Sequence, residues 1–194
     1  MVGVDGILVI NQGMLHNYLQ YKQNYFMGDI KNLTDTKGIE KIRDLAKDAD
    51  ICLFTTNLSS VPLIARPMST AAVDDEGNIW FLSRMGSDKN NEISADSRVQ
   101  LFYSNKSSSE YLSVFGSAEI IHNRGKIEEL WTPIAKAWFT GGKDDPSVSI
   151  IKVTPQDAYY WDTKNNKMVS LIKIAVSAVT GKTMDGGVEG EIKI

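Results

Sequence analysis

Residues 51–83 read ICLFTTNLSSVPLIARPMSTAAVDDEGNIWFLS, three apolar runs separated by short polar stretches. Ile51–Thr56 predicts a strand and Leu63–Val73 a second. The turn Asp74-Asp75-Glu76-Gly77 then leads into a third at Ile79–Ser83. Pro67 puts the second strand at a sheet edge or a bulge, because proline donates no ladder hydrogen bond. Many short strands joined by tight turns, with no strand–helix alternation and no GxGxxG, indicate an antiparallel barrel with helical decoration rather than a doubly wound fold.

The flanks extend the pattern in both directions. Upstream, Thr34, Asp35 and Thr36 offer caps, and Ile39, Ile42, Leu45, Ala46 and Ala49 recur at helical spacing to about Asp48. Downstream, Lys89–Ala95 predicts a short helix and Val99–Ser104 a fourth strand. The polar loop Asn105–Glu110 leads into a long fifth strand, with Leu112, Val114, Gly116, Ala118 and Ile120 on one face. Ile127, Leu130 and Trp131 mark a helical stripe, and Thr132-Pro133 opens a second helix running through Trp138. Closing strands are predicted at Val148–Thr154 and Ala158–Trp161. Met168–Val179 predicts a helix with one narrow polar stripe, so the domain or a second subunit must cover it. The Gly-rich tail Asp185–Ile194 reads as mobile.

The whole chain has 194 residues, 21 basic and 24 acidic side chains, a net charge of −3, one Cys and two His. That length supports one domain with a real core. The cysteine count excludes an internal disulfide, and one Cys with two His cannot build a Cys/His zinc site. A near-neutral balance argues against nucleic acid as partner. No run approaches the roughly 20 apolar residues of a membrane helix, and the N-terminus lacks the features of a signal peptide, so no membrane partner and a cytoplasmic location are expected. Residues 1–26 carry only Asp5 and Lys22 and read as a leader or extension. Residues 27–162 form the expected barrel domain, and 163–194 its C-terminal helix and tail.

Two stretches could bind a ligand. Ser83-Arg84-Met85-Gly86-Ser87-Asp88-Lys89 joins a strand to a helix, and Ser83, Ser87 and Lys89, with Arg84 nearby, supply donors for a phosphate. The same residues also suit plain helix capping. Ala65-Arg66-Pro67-Met68-Ser69 offers unpaired edge groups for a flat heterocycle, or simply a solvent-facing edge. Trp80 and Trp161 read as core, whereas Trp131 and Trp138 fit an interface or a ligand wall. Cys52 reads as an inert core residue and Asp74-Asp75-Glu76 as solvated. His16 and His122 form no triad, so no catalytic acid or base is assigned.

Taken in order, several stretches together resemble the FMN-binding split-barrel proteins related to pyridoxamine 5′-phosphate oxidase, most closely the bacterial general stress protein branch. They are Ala65–Met68, Gly77–Ser83, Ser87-Asp88-Lys89 with Glu92-Ile93, Val114–Glu119, Lys126–Trp131 and Lys136–Phe139. The resemblance implies a six-stranded antiparallel split barrel with peripheral helices, forming a homodimer with FMN in clefts between the subunits. Arg66, Pro67, Met68 and Ser69 would line the isoalloxazine edge, Phe81, Leu82 and Ser83 would back the ring and ribityl chain, and Ser87 and Lys89 would hold the phosphate. Trp131 and Trp138 would close the cleft from the partner subunit. The implied function is an FMN-dependent oxidoreductase acting on a small molecule, with a reduced nicotinamide as possible donor; the alternative is a non-catalytic flavin-binding, stress-response module. Three positions depart from the oxidase. Asp88 replaces a second basic residue, Ala71 a substrate-phosphate lysine and Tyr111 a flavin-contacting glutamine, which argues against pyridoxamine phosphate as substrate.

Overall fold

The computed structural model describes residues 29–163 and 187–193. The short strands β1 (Asp29–Ile30) and β2 (Leu33–Thr34) precede helix α1 (Asp35–Ala49), which buries Gly38, Ile42, Leu45 and Ala46. Then come β3 (Ile51–Thr56), β4 (Ile64–Ser69), β5 (Ala72–Val73) and β6 (Ile79–Arg84). Helix α2 (Asp88–Ala95) leads to β7 (Arg98–Asn105) and β8 (Glu110–Ile121). Helix α3 (Arg124–Leu130) is followed by two 3₁₀ turns, Pro133–Ala137 and Gly142–Asp144, before β9 (Val148–Thr163) and β10 (Gly187–Lys193). The readings for the leader at 1–26 and the helix at Met168–Val179 lie outside the described residues. Among the described residues no helix is long and apolar enough to cross a membrane.

The fold is mainly β, but among the described residues ten strands rather than six make one mixed sheet, and that sheet is open. Its path runs β1-β10-β9-β8-β7-β3-β4, with β6 on the other side of β9. The opening lies at β4, which among the described residues pairs only with β3, from Ile51↔Ser69 to Thr56↔Ile64. Pro67 therefore sits on an edge strand, as its missing N–H requires. The predicted run Leu63–Val73 is interrupted because the chain changes partner: the Thr70 amide bonds Asp50 O at 2.9 Å, and the Ala71 amide bonds Trp80 O at 2.8 Å. From there β5 pairs with β6.

The two closing strands are one. β9 continues through Pro155 because a register shift against β8 absorbs it, with Phe115 opposite Asp157 and Gly116 opposite Pro155. Gly116 is required there, since a Cβ would lie 2.4 Å from Thr154 O. The N-terminal half of β9 also pairs with β6 and its C-terminal half with β10.

The tail expected to be mobile is instead β10. Ile192 is buried in the core against Gly38 of α1, where a Cβ would meet its methyl at 2.6 Å. Alternation along 187–193 places Gly190 and Ile192 inward and the glutamates outward, a strand pattern hidden by its glycines.

Two apolar clusters fill the interior. The larger spans α1, the sheet and Ile93 of α2; the smaller joins Trp80, Ile127, Leu130, Phe139 and Ile150. Cys52 is in the first, and burial raises its thiol to about 12, the inert core residue expected. Asp74 is not merely solvated: it accepts from the Asn78 amide at 2.8 Å and from the Trp80 indole N–H at 2.8 Å. Trp80 is core, as expected, but Trp161 is 42% exposed, its ring beside Tyr159 on the outer sheet face.

Candidate functional site

A cleft of about 680 Å³ opens along the unpaired side of β4. Arg66, Pro67, Met68 and Ser69 form one flank, and the end of β6, Leu82 through Arg84, forms its back. Ser87 and Lys89, at the start of α2, lie at one end. The 3₁₀ segment supplies the facing wall, chiefly Ile134, Trp138 and Phe139. The size and mixed lining suit a small organic ligand. Nine of the eleven residues expected at the site thus meet in one place.

Phe81 and Trp131 do not line it. Phe81 is fully buried, its ring edge-on to Phe54 at 5.2 Å, because alternation turns it to the core side of β6. Trp131 packs against Phe139 behind the wall, with ring centroids 6.0 Å apart. Trp138 does line the cleft, but that of its own chain, and it is 73% exposed there.

Ser83 lines the back of the cleft, but its hydroxyl is engaged elsewhere. Its hydroxyl donates to Asn90 Oδ1 at 2.7 Å, while Asn90 Nδ2 donates to Ser149 Oγ at 3.0 Å and Ser149 Oγ to Ser83 O at 3.2 Å. The Ser87 hydroxyl reaches the same Asn90 oxygen at 3.2 Å. This buried network ties β6, α2 and β9 together and fixes the backbone from which Ser87 and Lys89 project. Asn90 and Ser149 were missed by sequence reasoning. They are 59 residues apart, so only sheet pairing joins them.

Lys89 Nζ donates to Ser87 Oγ at 3.3 Å and makes no salt bridge among the described residues. Burial, then the Arg66 and Arg84 charges, hold its ammonium below the usual value, while Asp88 acts the other way. Cations whose crowding the neighbouring carboxylates only partly offset form a cradle for an anion. Arg84 faces the same space; its Nη2 donates to Trp138 O at 3.0 Å, and its guanidinium lies 5.6 Å from the Phe139 ring centroid.

Arg66 is held differently. Its Nη2 bonds Glu92 Oε2 at 2.9 Å, its Nη1 donates to Thr56 Oγ1, and the Thr56 hydroxyl donates to Glu92 Oε2. Glu92 is kept below the usual carboxylate range, first by the Thr56 hydrogen bond and then by Arg66 against the opposing effect of burial.

The model of the pyridoxamine 5′-phosphate oxidase like family matches residues 37–185. The chain belongs to that family. Among curated relatives, protein bli-3 of Neurospora crassa is 28% identical over 156 residues, covering 74% of this chain and 75% of its own. Among solved structures, a candidate general stress protein 26 from Jannaschia sp. CCS1 superposes with a TM-score of 0.69 at 28% identity, covering 80% of this chain and 97% of that one. A general stress FMN/FAD binding protein from Xanthomonas citri superposes with a TM-score of 0.55 at 24% identity, covering 64% and 87%.

In this pyridoxamine 5′-phosphate oxidase-like chain, Ala71 and Tyr111, two of the three positions expected to depart from the oxidase, lie in different places. Ala71 lines the cleft with a methyl group, so no cation stands at that point. Tyr111 lies outside the cleft lining, opposite Trp161 on the outer face of the sheet.

Proposed function

We propose that the protein binds FMN in this cleft and uses it as an FMN-dependent oxidoreductase on a small molecule. The observation that carries the reading is Lys89, a half-buried lysine beside Ser87, crowded by Arg66 and Arg84 at one end of an otherwise largely apolar cleft. A phosphate monoester relieves that crowding, and the apolar remainder accepts a flat ring system. The cations fit the phosphate; Met68, Leu82, Ile134 and Trp138 fit the ring; Pro67 and Ser69 present edge backbone to its polar rim. That the Xanthomonas citri neighbour is described as binding FMN/FAD supports the same ligand class.

When bound, FMN supplies the electron transfer. The chain's own residues bind, orient and exclude water: Lys89, Ser87 and Arg84 anchor one end, the edge strand holds the ring's rim, and the 3₁₀ wall covers one face. Phe81 supports the cleft from behind, through the core, rather than by contact.

A homodimer belongs to this reading. Leu53, Phe102, Tyr111 and Trp161, all between 42% and 52% exposed, stand on the outer face of β3, β7, β8 and β9. A second copy of the chain covering them removes a contiguous apolar surface from water.

One observation favours the alternative of a non-catalytic flavin-binding module. Among the described residues the cleft lining contains no His, Cys or Tyr, so its proton-exchanging groups reduce to Asp50 and to Lys89, which this reading gives to the phosphate. The deciding experiment is to reconstitute the protein with FMN and follow bleaching near 450 nm (roughly, the main flavin band) by a reduced nicotinamide. Bleaching followed by turnover with an acceptor supports the enzyme. Tight binding without reduction by any physiological donor supports the module, and no flavin binding at all discards both.

A further inference from the structure

Glu92 lines no part of the cleft, yet it is tied to the arginine that does. Three polar groups close a ring: Thr56 and Arg66 both donate to one Glu92 carboxylate oxygen, and Arg66 also donates to Thr56. Thr56 is fully buried, and the side chains of Arg66 and Glu92 are 23% and 20% exposed. They come from β3, β4 and α2, so three elements converge on this contact.

The ring has two consequences for whatever occupies the cleft. A guanidinium carries five N–H donors in a fixed fork. Two are used here, so the other three point in directions set by Glu92 and Thr56. The carboxylate also offsets part of the charge of Arg66, whose remainder still reaches Lys89, whereas Lys89 and Arg84 have no salt bridge among the described residues.

We propose that Glu92 is a positioning residue acting through Arg66. It aims the guanidinium and offsets part of its charge, so that Arg66 meets the ligand chiefly as a directed hydrogen-bond donor while Lys89 and Arg84 carry most of the attraction for phosphate. This division deepens the flavin reading and rests on it for the identity of the ring. The cleft then takes one phosphate at the α2 end and a neutral polar ring edge beside β4. Without Glu92, Arg66 becomes a second point of anion attraction.

The test uses the full chain and the variants Glu92→Gln, which keeps the shape and removes the charge, and Glu92→Ala, which removes both. Inorganic phosphate is titrated without flavin at low ionic strength, with Trp138 fluorescence as the readout; riboflavin, which lacks the phosphate, is titrated separately. Both variants should bind phosphate about fivefold more tightly, the effect of one released charge in a partly solvated cleft, and the gain should fade as salt is added. Riboflavin affinity should be kept in Glu92→Gln and fall about tenfold in Glu92→Ala, where nothing aims the guanidinium. Phosphate affinity unchanged or weakened in both variants overturns the charge assignment, because a merely structural carboxylate predicts that result. Equal riboflavin affinity in Gln and Ala overturns the aiming role. Riboflavin binding by none of the proteins, the unaltered chain included, overturns the flavin reading and the aiming role with it, and the phosphate titration still decides the charge.

Discussion

Arg84 Nη2 donates to the main-chain oxygen of Trp138 at 3.0 Å, so a cation that lines the cleft also holds its 3₁₀ wall. The same side chain donates to Ser147 Oγ at 3.2 Å and lies over Phe139. These contacts link β6 to the 3₁₀ segment, whose Trp138 and Ile134 otherwise stand open to solvent.

Replacing Arg84 with Ala removes both the anchor and a nearby positive charge. FMN affinity should fall about tenfold, the value of one charge-assisted hydrogen bond. Because Arg84 is exposed, the thermal midpoint should hardly move. Fluorescence titration checks the first and a melt the second. Undiminished affinity removes Arg84 from the site.

Lys89→Ala separates the phosphate from the ring. FMN affinity should drop about ten- to a hundredfold, while riboflavin affinity stays within about twofold. Equal losses for the two ligands would show that Lys89 supports the fold of the cleft rather than the phosphate.

Asp74 gives a prediction in pH. Burial alone would raise its carboxyl, but hydrogen bonds from Asn78, Trp80 and the Asn78 and Glu76 amides together hold it below its ordinary value of 3.8. A group with a depressed folded value stabilises the fold above its unfolded value and loses that contribution as pH falls through the folded one. Asp74→Asn should therefore cost about 1–2 kcal/mol at neutral pH. The gap to the unaltered protein should close below pH 3.8. Urea midpoints against pH measure it, and a gap that persists into acid contradicts this account.

Trp161→Glu tests the outer sheet face. Sedimentation should find the unaltered chain dimeric and the variant monomeric with its circular dichroism unchanged, since Trp161 is 42% exposed and its loss leaves the core intact. A variant that remains dimeric moves the subunit contact elsewhere.

Much of the fold was legible because its signals are local. The periodicity of α1, the Asp74–Gly77 turn and the alternation of Leu112 to Ala118 lie within windows of a few residues, and each element formed. The misreadings share another cause. Pro155 looked like a strand end because the register shift that accommodates it depends on Gly116 in a different strand. The tail at 187–193 looked mobile because its burial depends on α1. Trp161 looked like core, but the alternation along β9 turns it to the outer face beside Tyr111.

The site divides in the same way. By itself the sequence determined which segments come to line the cleft, the edge strand with Arg66 to Ser69 and the strand-to-helix junction ending in Lys89, because turn chemistry and proline placement act over short range. Only the tertiary structure decided which of those groups are free. Glu92 claims Arg66 from 26 residues away and Asn90 claims the Ser83 hydroxyl, while Lys89 and Arg84 face the cleft with no salt bridge among the described residues. Those allocations follow from strand register and helix docking, which set distances between residues far apart in the chain.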